Sequence, residues 1–318
     1  MLESIGGFLL AIVVLALGAD SLGKGLGALA QRAGAAAVAT GLVVCAFAGS
    51  LPDLAVNVAA LFAGKPAFAL GNIIGSSLVN LGLALGLAAV IAPFGARLPL
   101  LRTLFPALLL AAAAVLAMGW NGIIGYFDGM VLVAGFFVLV AIVARHRATR
   151  ADASVAAEFE AIANTRPSPA LNLLRVVVGI ALLVLAARWL VKFAIVLAPA
   201  AGMSDMLFGL VVLAIGTSLP QIVVAIVGAK RGHGNAVLLG LIGSTLFNLL
   251  LLLGVTSILY PLAMPASLVR LEIPALIAFA AALYPMLRGD LRVSRGEGGV
   301  LLAMFVLLTG WQLRYLWA

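Results

Sequence analysis

The chain has 318 residues, of which 65% are hydrophobic and only 9% charged, with a mean hydropathy of +1.26. A soluble domain of this size cannot hide so much apolar surface, so the composition excludes a soluble globular protein and indicates a polytopic membrane protein. The net charge of +8 would suggest nucleic acid for a soluble chain; here it fits basic cytoplasmic loops, and no nucleic-acid partner is expected.

Residues 5–22 form the first apolar span. The leader MLESIGGF carries Glu3 and no Lys or Arg, so it lacks the basic region of a cleavable signal peptide and is read as part of a retained span. Further spans are predicted at 35–62, 66–92, 98–119, 122–144, 171–198, 203–229, 234–262, 266–287 and 298–316. Each has about the 20 residues needed to cross roughly 30 Å of hydrocarbon. The expected fold is therefore an all-α membrane protein of ten transmembrane helices, with a first half at 1–144, a linker at 145–169 and a second half at 170–318. The linker is the only long hydrophilic stretch and reads as a connector, with a short amphipathic helix around Ala156–Ala163. A regulatory or lipid-contacting loop is its other reading. Trp120, Trp189, Trp311 and Trp317 fall near span ends and suit the aromatic belt. Cys45 is the single cysteine, which precludes an intrachain disulfide; it reads as a small packing residue.

Charge sets the orientation. With the N-terminus outside, the cytoplasmic side holds Lys24, Arg32, Arg97, Arg102, Arg145, Arg147, Arg150, Arg166, Arg175, Lys230, Arg231, Arg288, Arg292 and Arg295, fourteen in all, against Lys65 and Arg314 outside. The positive-inside bias then places both termini outside.

The two halves repeat each other. GLVVCAFAGSLPDLAVNVAALFAG (Gly41–Gly64) matches GLVVLAIGTSLPQIVVAIVGAKRG (Gly209–Gly232), and GNIIGSSLVNLGLALG (Gly71–Gly86) matches GLIGSTLFNLLLLLG (Gly240–Gly254). A constant offset of 168 residues pairs Ser50 with Ser218, Pro52 with Pro220, Gly75 with Gly243, Ser76 with Ser244 and Asn80 with Asn248. Five spans per half is odd, so the homologous halves cross the bilayer in opposite directions. Inverted repeats of this kind provide two related conformations, one open to each side, which is the requirement of a transporter.

Polar atoms within apolar helices mark the chemistry. Asp53 is the only acidic residue inside either repeat core, and an ionisable group at that depth is paired, hydrated or binding something. Ser50 lies three residues before it, on the same helix face. Pro52 frees carbonyls in the preceding turn, around Phe47 and Ala48. Hydroxyl, carboxylate and carbonyl oxygens together suit a hard cation. Thr217, Ser218, Pro220 and Gln221 recur at the same spacings in the second half. Ser76 with Asn80, and Ser244 with Asn248, share faces of the next helices, while Gly71, Gly75 and Gly243 permit close packing. Packing is the usual role of each such residue alone; the set, duplicated around two prolines and a carboxylate, points to ion binding. His146 and His233 have no metal-ligand neighbours, and no HExxH, P-loop or nucleophile-elbow pattern occurs, so neither an enzyme nor a bound cofactor is expected.

The GSLPD/GTSLPQ and GNIIGSSLVN/GLIGSTLFN pairs resemble the two α-repeats of the sodium/calcium exchanger membrane region, in the cation/calcium antiporter superfamily, bacterial type. The resemblance covers both halves and implies ten helices, alternating access and a central group of ion sites. It implies cation ligands at Ser50, Asp53, Ser76 and Asn80 from the first half. The second half gives Thr217, Ser218, Gln221, Ser244 and Asn248, with backbone carbonyls from Ala46 and Ala214. Asp53, Asn80, Gln221 and Asn248 are the expected core of the metal site, near the midplane between helices 2, 3, 7 and 8, and helices 1 and 6 are expected to slide or rock past it.

The departures from the family pattern bear on substrate. Asp53 replaces a Glu, Gln221 replaces the second Glu, Gly49 replaces a Thr, and Asn248 stands where some members carry Asp. One carboxylate balances one monovalent cation or proton and leaves a divalent ion with net charge, which is costly in a low-dielectric interior. The expected function is a secondary cation antiporter in a bacterial inner membrane, exchanging Na+ and/or H+ against Ca2+ or a related cation. A monovalent or cation/proton exchanger that has lost Ca2+, and a transport-inactive scaffold or sensor, are the alternatives. The bilayer and inorganic cations are its expected partners; the sequence names no protein partner.

Overall fold

The structure, a computed structural model, describes residues 1–32, 37–95, 101–145, 168–288 and 292–314, with the backbone alone described at 30–32, 37–48, 287 and 288. Helix α1 spans Leu2–Arg32 and α2 spans Ala37–Phe62. They are followed by α3 (Pro66–Ile91), α4 (Leu101–Gly119), α5 (Tyr126–Ala144), α6 (Pro169–Ala200), α7 (Asp205–Lys230), α8 (Gly234–Leu259), α9 (Leu268–Met286) and α10 (Arg295–Leu313). Among the described residues, nine of these are long and apolar enough to cross a membrane, and the fully described part of α2, Gly49–Phe62, is a shorter apolar helix. The expected helix at 156–163 and the side chain of Cys45 lie outside the described residues.

Several helix ends have a local cause. The first helix runs ten residues beyond the expected end at 22, through Asp20 and Lys24, which sit one turn apart and pair at 2.7 Å. Helix α8 stops at Leu259, short of the expected 262. Tyr260 is extended (φ −149°, ψ 119°) because Pro261 follows it, and the residue before proline is forced out of the helical region. Ala92 before Pro93 ends α3 in the same way, at φ −144° and ψ 99°. Helix α10 begins three residues earlier than expected. Ser294 and Glu297 form a capping box there, with the Ser294 hydroxyl accepting from the Glu297 N–H at 3.3 Å and the Glu297 carboxylate accepting from the Ser294 N–H at 2.8 Å.

Two short ribbons establish how the halves are related. Strand β1 (Phe94–Gly95) pairs with β4 (Arg292–Val293), and β2 (Ile123–Ile124) pairs with β3 (Leu262–Ala263). Phe94 and Leu262 are separated by the repeat offset of 168, as are Ile124 and Arg292. The offset therefore turns one ribbon into the other, with the pairing shifted by one residue between β2 and β4. The 19 residues of α4 lie between β1 and β2, about 28 Å of helix, so the ribbons cap opposite ends of the bundle. Equivalent segments at opposite ends mean that the halves are inverted.

Helices α3 and α8 are central: 83% of the apolar stretch of each is buried, against 22% for α5. The larger apolar core joins them to α4, α9 and α10 through residues such as Ile74, Leu85, Leu108, Ile242, Phe279 and Leu301. A second core is built by α1 and α6, where Leu15 and Leu22 meet Leu183 and Leu190, and it extends to Phe68 and Phe208. The exposed sides of α1 and α6 carry Leu9, Val13, Leu17, Leu174, Val177 and Val184. An apolar outer surface is what a lipid environment permits.

Candidate cation site

The polar side chains converge where the two halves cross. Pro52 lies inside α2 and Pro220 inside α7, and each withholds an N–H from the turn that carries the Gly/Thr-Ser-Leu-Pro segment. On α3 and α8 the α-helix widens into a π-helical turn, at Val79–Ala84 and Phe247–Leu252. These turns are 168 residues apart and each carries a site asparagine, Asn80 or Asn248, as its second residue. A π-turn adds a residue to the helical circuit and re-aims the side chains around it, and such turns recur at functional sites. Close packing brings the halves together: a Cβ on Gly75 would overlap the Leu210 carbonyl oxygen of α7.

Asp53 is 1% exposed. Its Oδ1 accepts from the Ser76 hydroxyl at 2.9 Å and from Asn72 Nδ2 at 3.3 Å, and its Oδ2 accepts from Asn248 Nδ2 at 3.0 Å. Ser50 Oγ and Ser244 Oγ lie 2.6 Å apart. Ser244 donates to Gln221 Oε1 at 3.3 Å, and Asn80 Nδ2 reaches Ser244 Oγ at 3.3 Å. Thr217 Oγ1 stands 3.3 Å from the Ala214 carbonyl, 3.1 Å from Asn72 Oδ1 and 3.4 Å from Ser76 Oγ. The structure thus brings together Ser50, Asp53, Ser76, Asn80, Thr217, Gln221, Ser244, Asn248 and the Ala214 carbonyl. Ser218 is buried on the same helix as Gln221. Ala46 falls in the part of α2 for which only the backbone is described.

Two oxygens in this group have no hydrogen-bond partner, Asn80 Oδ1 and Asn248 Oδ1, and the buried Ser218 Oγ on α7 has none either. Each asparagine spends its amide hydrogens inside the cluster and leaves its carbonyl oxygen buried and bare. Such an oxygen is costly without a positive partner. The cluster contains a carboxylate, amide oxygens and hydroxyls, and none of its hydrogen bonds comes from a Lys, Arg or His. Among the described residues no three His, Cys, Asp or Glu side chains gather as a metal group. Among the described residues the donor set is therefore hard oxygen with a single formal negative charge, the ligand type suited to Na+-like or Ca2+-like ions and unlike a thiolate or imidazole metal centre.

Two residues of the network escape a reading based on the repeat. Asn72 and Asn57 are both fully buried, and Asn72 Nδ2 also donates to Asn57 Oδ1 at 3.1 Å. Their equivalents across the offset are Gly240 and Ala225, so the internal symmetry points away from them. Helical spacing could have found them: Asn72, Ser76 and Asn80 recur every four residues, and Asn57 lies one turn beyond Asp53.

The family model "Sodium/calcium exchanger protein" matches residues 3–145 and 171–314. The chain is 31% identical to the antiporter candidate CaxA of Alkalimonas amylolytica, over 94% of this chain and 95% of that protein. It is 25% identical to the sodium/calcium exchanger MaX1 of Methanosarcina acetivorans, over 94% and 95%. The solved structure of the sodium-calcium exchanger NCX_Mj superposes with a TM-score of 0.70 at 27% identity, covering 96% of this chain and 97% of that one. With inverted halves meeting at an oxygen-lined cluster, and a family match that runs through both of them, this chain belongs to the sodium/calcium exchanger protein family.

Proposed function

We propose that the protein is a secondary cation antiporter that works by alternating access. It would exchange Na+ and/or H+ against Ca2+ or a related cation. The observation that carries the reading is a pair of bare, buried amide oxygens, on Asn248, which holds the Asp53 carboxylate, and on its repeat equivalent Asn80, at the crossing of two inverted halves. Sodium/calcium exchange by the relatives, as their names give it, supports the same substrate class. The ligands would be Ser50, Asp53, Ser76, Asn80, Thr217, Ser218, Gln221, Ser244 and Asn248, with the carbonyls of Ala46 and Ala214. The units would be residues 1–144 and 170–318 joined by a cytoplasmic linker at 145–169, with both termini outside and the protein in a bacterial inner membrane.

Helices α1 and α6 share one cluster of side chains, which also takes in Leu51, Val56 and Ala60 of α2, Phe68 and Ala69 of α3, and Phe208 and Leu213 of α7. In the proposed motion α1 and α6 would slide or rock against these residues of the helices that carry the ion cluster. Transport by the purified protein in proteoliposomes, with Na+, Ca2+, K+ and H+ gradients imposed one at a time, tests the function. Exchange of one cation driven by the gradient of another is expected; no coupled flux with any pair would refute it.

A further inference from the structure

Asn57 and Asn72 have no counterpart in the second half, where Ala225 and Gly240 stand at the equivalent positions. The space a side chain at Gly240 would enter has no heavy atom within 4 Å. The first half, which holds the carboxylate, therefore carries two buried amides that the second half lacks. Their geometry is directional. Asn72 Nδ2 donates to Asp53 Oδ1 (3.3 Å) and to Asn57 Oδ1 (3.1 Å), while Asn72 Oδ1 accepts from Thr217 of the opposite half (3.1 Å). Turned over, the Asn72 amide would point its oxygen at two acceptor oxygens. The present orientation is the one the network allows.

Asp53 helps to hold that orientation, but a cation bound to Asp53 Oδ1 competes with Asn72 for the same oxygen. Asn57 is the partner that a cation does not displace. Its own Nδ2 is buried without a hydrogen-bond partner, which is unfavourable. An alanine, as at position 225, would avoid that burden, so packing alone does not account for an asparagine here.

We propose that Asn57 is a positioning residue for the cation site. It fixes the Asn72 amide so that its NH2 group stays turned toward Asp53 and its oxygen toward Thr217 when a cation competes for Asp53 Oδ1. Asn72 Oδ1 is thereby kept out of the coordination shell, and Asp53 and Thr217, from opposite halves, stay in register. The inference rests on Asp53 being the carboxylate of the cation site.

The test uses the full-length protein in proteoliposomes and separates the half-saturating cation concentration from the maximal rate. Asn57→Leu, which keeps bulk but removes the accepting oxygen, should raise the half-saturating concentration about tenfold or more, the usual effect of losing a residue that orients a metal ligand. The maximal rate should change little. Asn57→Ala should act in the same direction. Asn57→Asp keeps the accepting oxygen and should leave the half-saturating concentration no higher than the parent's. Parent-like half-saturation in Asn57→Leu, or a loss in Asn57→Asp equal to that in Asn57→Leu, overturns the proposal. Asp53→Asn measured beside them distinguishes the two levels. If it transports like the parent, the site reading fails and this inference with it; if it is inactive while Asn57→Leu binds like the parent, this inference alone fails.

Discussion

Asn248 on α8 donates its side-chain amide to Asp53 on α2 at 3.0 Å, so the carboxylate at the centre of the fold is held by the opposite half of the chain. The equivalent pair across the repeat is Gln221 with Asn80. Asn80 donates instead to Ser244, at 3.3 Å, and Ser244 in turn donates to Gln221. The two-fold relation is thus kept in the backbone and broken at the charge. The charged position takes an amide donor directly and the neutral one takes it through a hydroxyl.

Asp53→Asn should abolish cation-coupled flux and leave the protein folded. An asparagine keeps the shape and one accepting oxygen. It confronts the Asn248 amide with a second NH2 group, so about 1–3 kcal/mol of stability should be lost. Flux in proteoliposomes and thermal melting of the detergent-purified protein report the two effects separately. Parent-like flux would remove Asp53 from the site, and complete unfolding would make its role structural.

The Ser50–Ser244 contact, at 2.6 Å between hydroxyls of opposite halves, should behave as one unit in cation binding. Ser50→Ala and Ser244→Ala, alone and together, form a double-mutant cycle. The expected coupling is about 0.5–1.5 kcal/mol, that of a buried neutral hydrogen bond. Strict additivity of the two affinity losses would mean that the pair does not act at the site.

Gly75 and Gly240 should respond differently to the same methyl group. A Cβ at Gly75 would overlap the Leu210 carbonyl, whereas a Cβ at Gly240 meets nothing within 4 Å. Gly75→Ala should lower stability by roughly 1–3 kcal/mol through overpacking, while Gly240→Ala should stay within about 0.5 kcal/mol of the parent. Melting temperatures of both variants decide it, and equal shifts would refute the seam between α3 and α7.

Much of this was legible because the repeat supplies an internal comparison. Ser50, Asp53, Ser76, Asn80 and their partners stood out as polar residues kept in register within apolar helices, and the structure brings them together. The π-turns at Val79–Ala84 and Phe247–Leu252 were not legible, since a π-turn leaves no fixed residue pattern and arises from packing around the helix. Asn57 and Asn72 were missed for the opposite reason: weighting symmetric residues hides an asymmetric pair. The early start of α10 was readable from Ser294 and Glu297, whose capping box outweighs the polar residues that delay the hydrophobic signal.

Gln221→Glu addresses the substrate. Gln221 is 9% exposed, more open than Asp53, and its amide lies against Gly49, with Cδ and Nε2 each 3.3 Å from where a Cβ at 49 would stand. Glutamate has the same shape, so it can occupy this space and still accept from Ser244. The substitution therefore changes charge and almost nothing else, bringing the cluster to two carboxylates, which matches a divalent ion. Calcium affinity should rise. Without a bound cation the two acids repel each other, so the variant should melt below the parent in a chelator and regain stability as calcium is added, because an ion that binds only the folded state stabilises it. Calcium titration of parent and variant in one buffer, with melting followed alongside, measures both. Tight calcium binding by the parent, unaltered in Gln221→Glu, would show that position 221 is not a ligand and that the single charge of Asp53 does not set the preference of the site.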